Sequence, residues 1–453
     1  MLKTLVGAFK NKDIRKKILY TLMILVIVRV GSLLPIPGVD TEYFSSLLSG
    51  INTGDLSYLS AFTGGSFERM SLFALSITPY ITSSIIMQLL AIAIPKLEEM
   101  QKEGEDGRKK IAAITRYVTI GLALIESIAM AVGFGRSGLI KGYQGFSTLH
   151  YIVSIIVVVA ALTAGSAMLM WLGERITENG VGNGISIVLL INIISGMPSD
   201  FATLYSTFVA PRTIAKGVLA AAIIIAILVV MVVLVCFLQD GERRIPVQYS
   251  QKVSGRKTFG GQSTNIPLKV NTAGVMPVIF ASSLMQFPVI IAQLFGKSYE
   301  WTRYLSSSYW CRISAPKYSI GLILYIVLLI IFAYFYTSIT FNPIEVADNL
   351  KKAGGVIPGI TPGKSTSDYL NNILNYIVFV GAVGLLIIAL IPIMCTGFFN
   401  ASVSFGGTSV IIIVGVVFFG GTSIIIIVGV VLETLKQIES QMVNRYYKGF
   451  LSE

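Results

Sequence analysis

Two uncharged runs limit this chain more than any other feature in it: GVLAAAIIIAILVVMVVLVCFL (217–238) and SIGLILYIVLLIIFAYFYTSITF (319–341). An α-helix needs roughly 20 apolar residues to cross about 30 Å of hydrocarbon. Backbone N–H and C=O groups find no water there, and a helix satisfies its own without a partner strand. Only 13% of the 453 residues are charged, against about 25% in soluble domains. The sequence therefore reads as a polytopic membrane protein. The opening stretch MLKTLVGAFKNKDIRKK lacks a short apolar core with a small-residue cleavage site, so no cleaved leader is expected.

Apolar windows give ten candidate spans, near 18–34, 71–95, 115–135, 151–172, 185–208, 217–238, 272–294, 319–341, 370–394 and within 407–432. The expected fold class is all-α, with about ten transmembrane helices. If the N-terminus is cytoplasmic, 25 of the 35 Lys and Arg residues fall in inner segments and 10 elsewhere, as the positive-inside rule requires. Both termini and the segments 239–271 and 342–369 are then cytoplasmic. Ten spans divide five and five, into 1–212 and 213–453. The first span runs outward and the sixth inward, so the halves are inverted repeats, an arrangement that places the working site between them near the midplane. No clear sequence identity links the two halves.

Enzymatic chemistry has few groups to work with. The three cysteines, Cys236, Cys311 and Cys395, have no metal or redox spacing, and Cys236 and Cys395, within or at the end of apolar stretches, read as small packed hydrophobes. The one histidine, His150, borders a span. No catalytic residue, metal site or cofactor is expected.

Several segments do not fit a plain bundle. DLSYLSAFTGGSFERM (55–70) is too polar to span and too apolar for a solvated loop. It reads either as a re-entrant cavity filler or as a surface amphipathic helix. In the second span Pro79 should bend the helix, and Ile81 and Ile85 share one face. Ile185 and Leu189 repeat that spacing in the fifth span, and Ile279 follows Pro277 in the seventh. Each isoleucine taken alone reads as ordinary lipid-facing or packed core rather than as a functional residue. Gln88, Glu126 and Asn271 are polar groups within or at the head of spans. An intramembrane carboxyl is a functional candidate by default, though ordinary interhelical bonding explains such groups as well.

Taken together, SLFALSITPYITSSIIMQLL (71–90), RKKIAAITRY (108–117), WLGERITENGVGNGISI (171–187), GERRIPVQY (241–249), QSTNIPLKVNTAGVMPVIFASS (262–283), FNPIEVADNLKKAGGVIPGI (341–360) and LETLKQIESQMVNRYYKGF (432–450) closely resemble the SecY family of bacteria. Its members are central subunits of the Sec protein-conducting channel. The resemblance implies a clamshell of two five-helix halves around an hourglass pore, in a bacterial plasma membrane. It implies a waist ring of Ile81, Ile85, Ile185, Leu189, Ile279 and one of Ile426 or Ile412. Branched apolar side chains suit a dewetting gasket that grips no particular cargo sequence. It implies a plug at 55–70, with Leu56, Leu59, Phe62, Gly64, Gly65 and Phe67, and a lateral gate where Gln88, Glu126 and Asn271 hold the helices shut weakly. Signal peptides and nascent chains would open that gate toward the lipid bilayer. The 239–271 and 338–370 segments would dock a ribosome or the SecA motor ATPase through Arg243, Arg244, Arg256, Lys257, Lys351 and Lys352. Arginine's planar fork suits phosphate, but inner-loop cations also orient any membrane protein. SecE and SecG are implied as companion subunits.

The sequence departs from the family at three places. Thr361 stands where the family usually has an arginine tied to motor-driven translocation. The outer segment 296–318 matches none of its blocks. FGGTSVIIIVGVVF (405–418) is followed at once by FGGTSIIIIVGVVL (419–432), whereas the family has this segment once. An ion-coupled secondary transporter is the alternative from another class, since inverted halves suit it too; it would want more mid-membrane charges than Glu126.

Overall fold

In the computed structural model of the chain, the described residues are 9–44, 63–134, 148–204, 214–249, 252–254, 257–259, 263–294, 300–306, 310–311, 316–399 and 421–449. Helices dominate: α1 (Lys12–Leu33), α2 (Thr78–Ala93), α3 (Pro95–Lys102), α4 (Glu105–Phe134), α5 (Thr148–Asn179), α6 (Gly184–Leu204) and α7 (Ile214–Asp240). Four strands follow, β1 (Glu242–Tyr249), β2 (Lys252–Ser254), β3 (Lys257–Phe259) and β4 (Ser263–Lys269). The remainder is α8 (Met276–Leu294), α9 (Thr302–Leu305), α10 (Ile320–Thr340), α11 (Pro343–Lys352), β5 (Gly355–Val356), α12 (Lys364–Phe399) and α13 (Gly421–Gly449). The helices of 16 residues or more among these meet the ten expected spans one for one. By length and composition alone, Lys109–Gly133, Tyr151–Asn179, Pro316–Lys352 and Lys364–Ile391 qualify as membrane spans, and α2 with α3 forms a pair bent by 105°. The bend falls at Ile94–Pro95, where proline cannot continue the ladder of α2.

The second and seventh spans begin later than their apolar windows. Residues 64–77 and 270–275 are successive tight turns rather than helix. In the first run Ser76 has φ 52° and Met70 φ 43°; in the second Gly274 has φ 65°. Left-handed backbone of this kind breaks a helix, so α2 and α8 start only at Thr78 and Met276. Three close approaches clamp the first run. Gly31 of α1 lies against the Phe73 ring, Gly165 of α5 against the Leu72 carbonyl, and Gly64 against the Asn192 carbonyl of α6. A Cβ at any of the three would collide.

The chain closes on itself at one end of the bundle. Lys17 Nζ donates to Gln441 Oε1 (3.3 Å), and Val181 N donates to Thr21 Oγ1 (3.2 Å). Lys436 Nζ lies 2.8 Å from Asp240 Oδ1, an exposed pair worth at most about 1 kcal/mol. At this same end β1 pairs antiparallel with β4 over seven residues and with β5 through Gln248↔Val356 and Tyr249↔Gly355. The sheet order is β4-β1-β5. The two excursions that the sequence leaves separate, 239–271 and 342–369, are thus one folded unit. Ile245, Val247, Leu268, Leu350, Ile357, Leu370, Ile373 and Ile377 form its core. The remaining strands among the described residues, β2 and β3, pair with each other as a separate two-stranded sheet.

Candidate functional site

The six candidate ring residues come from four stretches of chain and converge on one apolar cluster. Ile85 of α2, Leu189 of α6, Ile279 of α8 and Ile426 of α13 are buried members, and Ile81 and Ile185 pack against it. Ile426 has no solvent exposure at all. The alternative residue, Ile412, and the first copy of the duplicated segment lie outside the described residues; the second copy opens α13. The cluster continues into Phe280 and Phe332, whose rings meet edge to face at 5.9 Å and tie α8 to α10.

The two non-helical leads give this convergence its geometry. Ser76 precedes Pro79 by three residues, and Ile81 follows it by two. Gly274 precedes Pro277 by three, and Ile279 follows by two. Each lead turns left-handed at the same offset and delivers an isoleucine to the cluster from the first turn of a helix. The repeat between halves is therefore present as SITPYI against GVMPVI. Its signal in the sequence is the shared proline-to-isoleucine spacing after a turn-forming residue, which overall identity hides.

Of the candidate plug residues, Leu56, Leu59 and Phe62 lie outside the described residues. Gly64 and Gly65 both have positive φ, 62° and 78°, and there the chain turns sharply. Phe67 is buried and meets Phe44 edge to face at 5.8 Å, in a second cluster with Ile36, Val39, Met70 and Leu162. Phe67 thus packs in this second cluster rather than joining the ring candidates.

The gate candidates sit on facing elements, since α8 packs on both α2 and α4. Their hydrogen bonds are local. Gln88 Nε2 donates to Ser84 Oγ (3.3 Å) and its Oε1 is buried without a partner. Asn271 Nδ2 donates to the Gly274 carbonyl (2.9 Å) and so holds the lead into α8. Glu126 is half-buried on α4. Ser83 Oγ, which sequence reasoning passed over, does cross between elements, donating to the Thr115 carbonyl at 2.8 Å. Arg116 Nε reaches Glu174 Oε1 at 2.8 Å and links α4 to α5.

Arg243 and Arg244 are exposed on β1, and Arg244 stands 3.3 Å from Glu242. Lys351 and Lys352 are exposed at the end of α11, which leads through a turn into β5. The sheet carries two of these cations and α11 the other two, and Leu350 joins that helix to the core under β1. Lys257 lies in β3, whose side chains are not described, and Arg256 lies outside the described residues. Thr361 is exposed, and its carbonyl accepts from Thr366 Oγ1 at 2.9 Å, which ties it to the first turn of α12. In the 296–318 segment Trp310 is fully buried and donates to the Tyr304 carbonyl (2.8 Å). Cys311 is half-buried there, and burial pushes its thiol pKa up, so it is a poor thiolate at neutral pH. Among the described residues, no three His, Cys, Asp or Glu gather as metal ligands would.

The SecY family model matches residues 71–435. The chain is 43% identical over 460 residues to the protein translocase subunit SecY of Streptomyces galbus, covering 100% of both chains. It is 41% identical to that of Halalkalibacterium halodurans, again over 100% of both. The fold is similar to that of a solved protein-conducting channel, with TM-score 0.61 and 18% identity over 94% of this chain and 92% of that one. It is also similar to Sec61 in a canine ribosome–channel complex, with TM-score 0.58 and 18% identity over the same shares.

Proposed function

The chain belongs to the SecY family, and from that premise we propose that its aliphatic cluster is the waist of a protein-conducting channel that passes unfolded polypeptide across a membrane. The observation that supports this reading is the convergence of Ile81, Ile85, Ile185, Leu189, Ile279 and Ile426, drawn from both halves of the sequence, into one apolar cluster. Branched side chains around a narrow path exclude water and ions without offering a polar group to the cargo. A chain of any sequence then slides past at little cost. Hydrophobic cargo segments leave sideways between α2–α4 and α8–α10, because apolar surface gains free energy on leaving water. The ion-coupled transporter reading finds no support in the family. The membrane is the plasma membrane of a bacterium, with both chain ends and the β4-β1-β5 unit on the cytoplasmic side.

Photocrosslinkers placed at Ile81 and Ile279 in the reconstituted complex test the waist directly. A stalled polypeptide bearing a signal sequence should crosslink at both positions. Absence of crosslinks at both, with substrate-dependent proton or sodium flux instead, would sink the channel reading.

The β4-β1-β5 unit is the docking platform for the partner that supplies energy, a ribosome or a SecA motor, and SecE and SecG are the companion subunits. Arg243 and Arg244 are exposed on opposite faces of β1, where their cations meet phosphates or an acidic protein face. Arg243→Glu with Arg244→Glu should weaken binding of ribosomes or SecA by about tenfold or more at low salt, with the difference shrinking as ionic strength rises. Equal affinity of the double variant and the wild type at low salt would remove this role.

A further inference from the structure

The run 63–77 includes the last residues of the plug candidate 55–70 and carries the chain on into α2, and one side chain of α6 fixes it. Asn192 is 2% exposed. Its Nδ2 donates to Ser76 Oγ at 3.1 Å, across 116 residues of sequence. Its Oδ1 is buried with no hydrogen-bond partner. Ser76 is the residue at φ 52°, a conformation that a non-glycine side chain keeps only when its surroundings hold it there. The other end of the same run lies on the same turn of α6. A Cβ at Gly64 would stand 2.6 Å from the Asn192 carbonyl and 2.6 Å from Ser195 Oγ, and Ser195 Oγ itself donates to the Asn192 carbonyl at 2.7 Å. Leu189, a ring candidate, lies one turn earlier on α6.

We infer that Asn192 is a positioning residue that latches the run 63–77 against α6, and so couples the seating of the plug segment to the ring at Leu189 and Ile81. A buried amide with one unpaired atom is a poor choice for stability alone, because an apolar side chain of that size packs without the unmet hydrogen bond. Its use is conditional: the bond to Ser76 exists only while the left-handed turn lies across α6. When cargo displaces the run, the bond is lost, and nothing at Asn192 opposes the helix staying where it is. The latch therefore favours the arrangement in which the ring residues are buried against one another, and it shifts the population of sealed against conducting channels. Losing a buried partner of this type moves such an equilibrium by roughly ten- to a hundredfold.

This inference rests on the channel reading above, so the test keeps the two apart. The full chain, in the complex it purifies with, is reconstituted in vesicles as wild type, Asn192→Ala, Ser76→Ala and the double variant. Ion leak without cargo, translocation of a signal-bearing preprotein and thermal unfolding are measured on each. The latch predicts leak raised about tenfold or more in each single variant, translocation retained, and no further rise in the double variant. Unchanged leak in the single variants, a rise that adds in the double, or a rise accompanied by lost translocation would each overturn it. Should Asn192→Ala fail to fold, Ser76→Ala removes only one hydroxyl from the same bond, and unchanged leak there overturns the latch by itself. Wild-type vesicles that fail to translocate would instead overturn the channel reading.

Discussion

Ile279→Asn is expected to raise the ion conductance of the unengaged channel by at least tenfold, and Ile81→Asn to do the same. Ile279 is 4% exposed inside the ring cluster, so an amide at that position has no hydrogen-bond partner while the cluster stays dry. Leaving it unsatisfied costs about 1–3 kcal/mol, and the pore relieves that cost by admitting water. Roughly 1.4 kcal/mol corresponds to a tenfold change in population, so one substitution suffices to move the balance toward a wetted waist. Ile81 is only partly buried, and its effect should be the smaller of the two. Ile279→Leu keeps the apolar character and volume and should leave conductance near wild type. Potassium or iodide flux from vesicles holding the purified complex reads all three. Unchanged conductance in both asparagine variants would mean that these residues are ordinary core and that the seal lies elsewhere.

Helical spans were legible because the membrane imposes length and hydropathy on them one at a time. Ten apolar windows became ten helices; some edges moved by a few residues, as in 185–208 against Gly184–Leu204. Others moved by six or more, as in 18–34 against Lys12–Leu33 and 115–135 against Glu105–Phe134, and the window within 407–432 became Gly421–Gly449. What apolar windows cannot register is backbone conformation inside them. Residues 71–77 and 272–275 are as apolar as their neighbours, yet Ser76 and Gly274 turn left-handed and delay α2 and α8. Hydropathy counts side chains, while the break is set by φ and by the glycine contacts at Gly31, Gly165 and Gly64. Pro79 marked the right place, but as a first-turn residue of a new helix rather than as a kink within a long one, and Pro277 sits likewise in the first turn of α8.

The candidate site divides along the same line. Ring candidates were assigned by resemblance because a single isoleucine carries no signal of what it faces. Their convergence depends on tertiary packing among α2, α6, α8 and α13. Asn192 escaped notice because an asparagine in a span reads as one more interhelical polar group until Ser76 is seen at its amide. The gate polar groups were legible as unusual, but their bonding was not: Gln88 and Asn271 bond within their own elements. The union of the two excursions was also invisible, since β5 is two residues long and no periodicity can be read from two residues. It exists because β1 alternates Ile245 and Val247 inward against Leu350 and Ile357.

Val247→Asp should therefore dissolve the platform and abolish partner docking at every salt concentration, in contrast to the charge reversals at Arg243 and Arg244. Val247 has no exposure and faces Thr264 in the β1–β4 register, at the centre of the core that joins both excursions. A carboxyl buried there without a cation or donor costs about 3 kcal/mol or more even if it takes up a proton. A small unit with eight buried core residues has little stability to absorb that loss. Once β1 leaves β4 and β5, Arg243 and Arg244 lose their fixed relation to Lys351 and Lys352. Each cation remains, but a partner surface that matches four of them together no longer finds them preorganised. Screening by salt then has no bearing on the defect, because the missing element is geometry rather than charge. The ring cluster lies on other elements, so ion leak without cargo should stay at the wild-type level. Hydrogen exchange over 242–249, 263–269 and 355–356, with SecA or ribosome binding at low and high salt, separates the outcomes. Fast exchange with binding lost supports the platform. Fast exchange with binding intact would show that the partner docks on the helices, and that the sheet only spans the distance between α7 and α8.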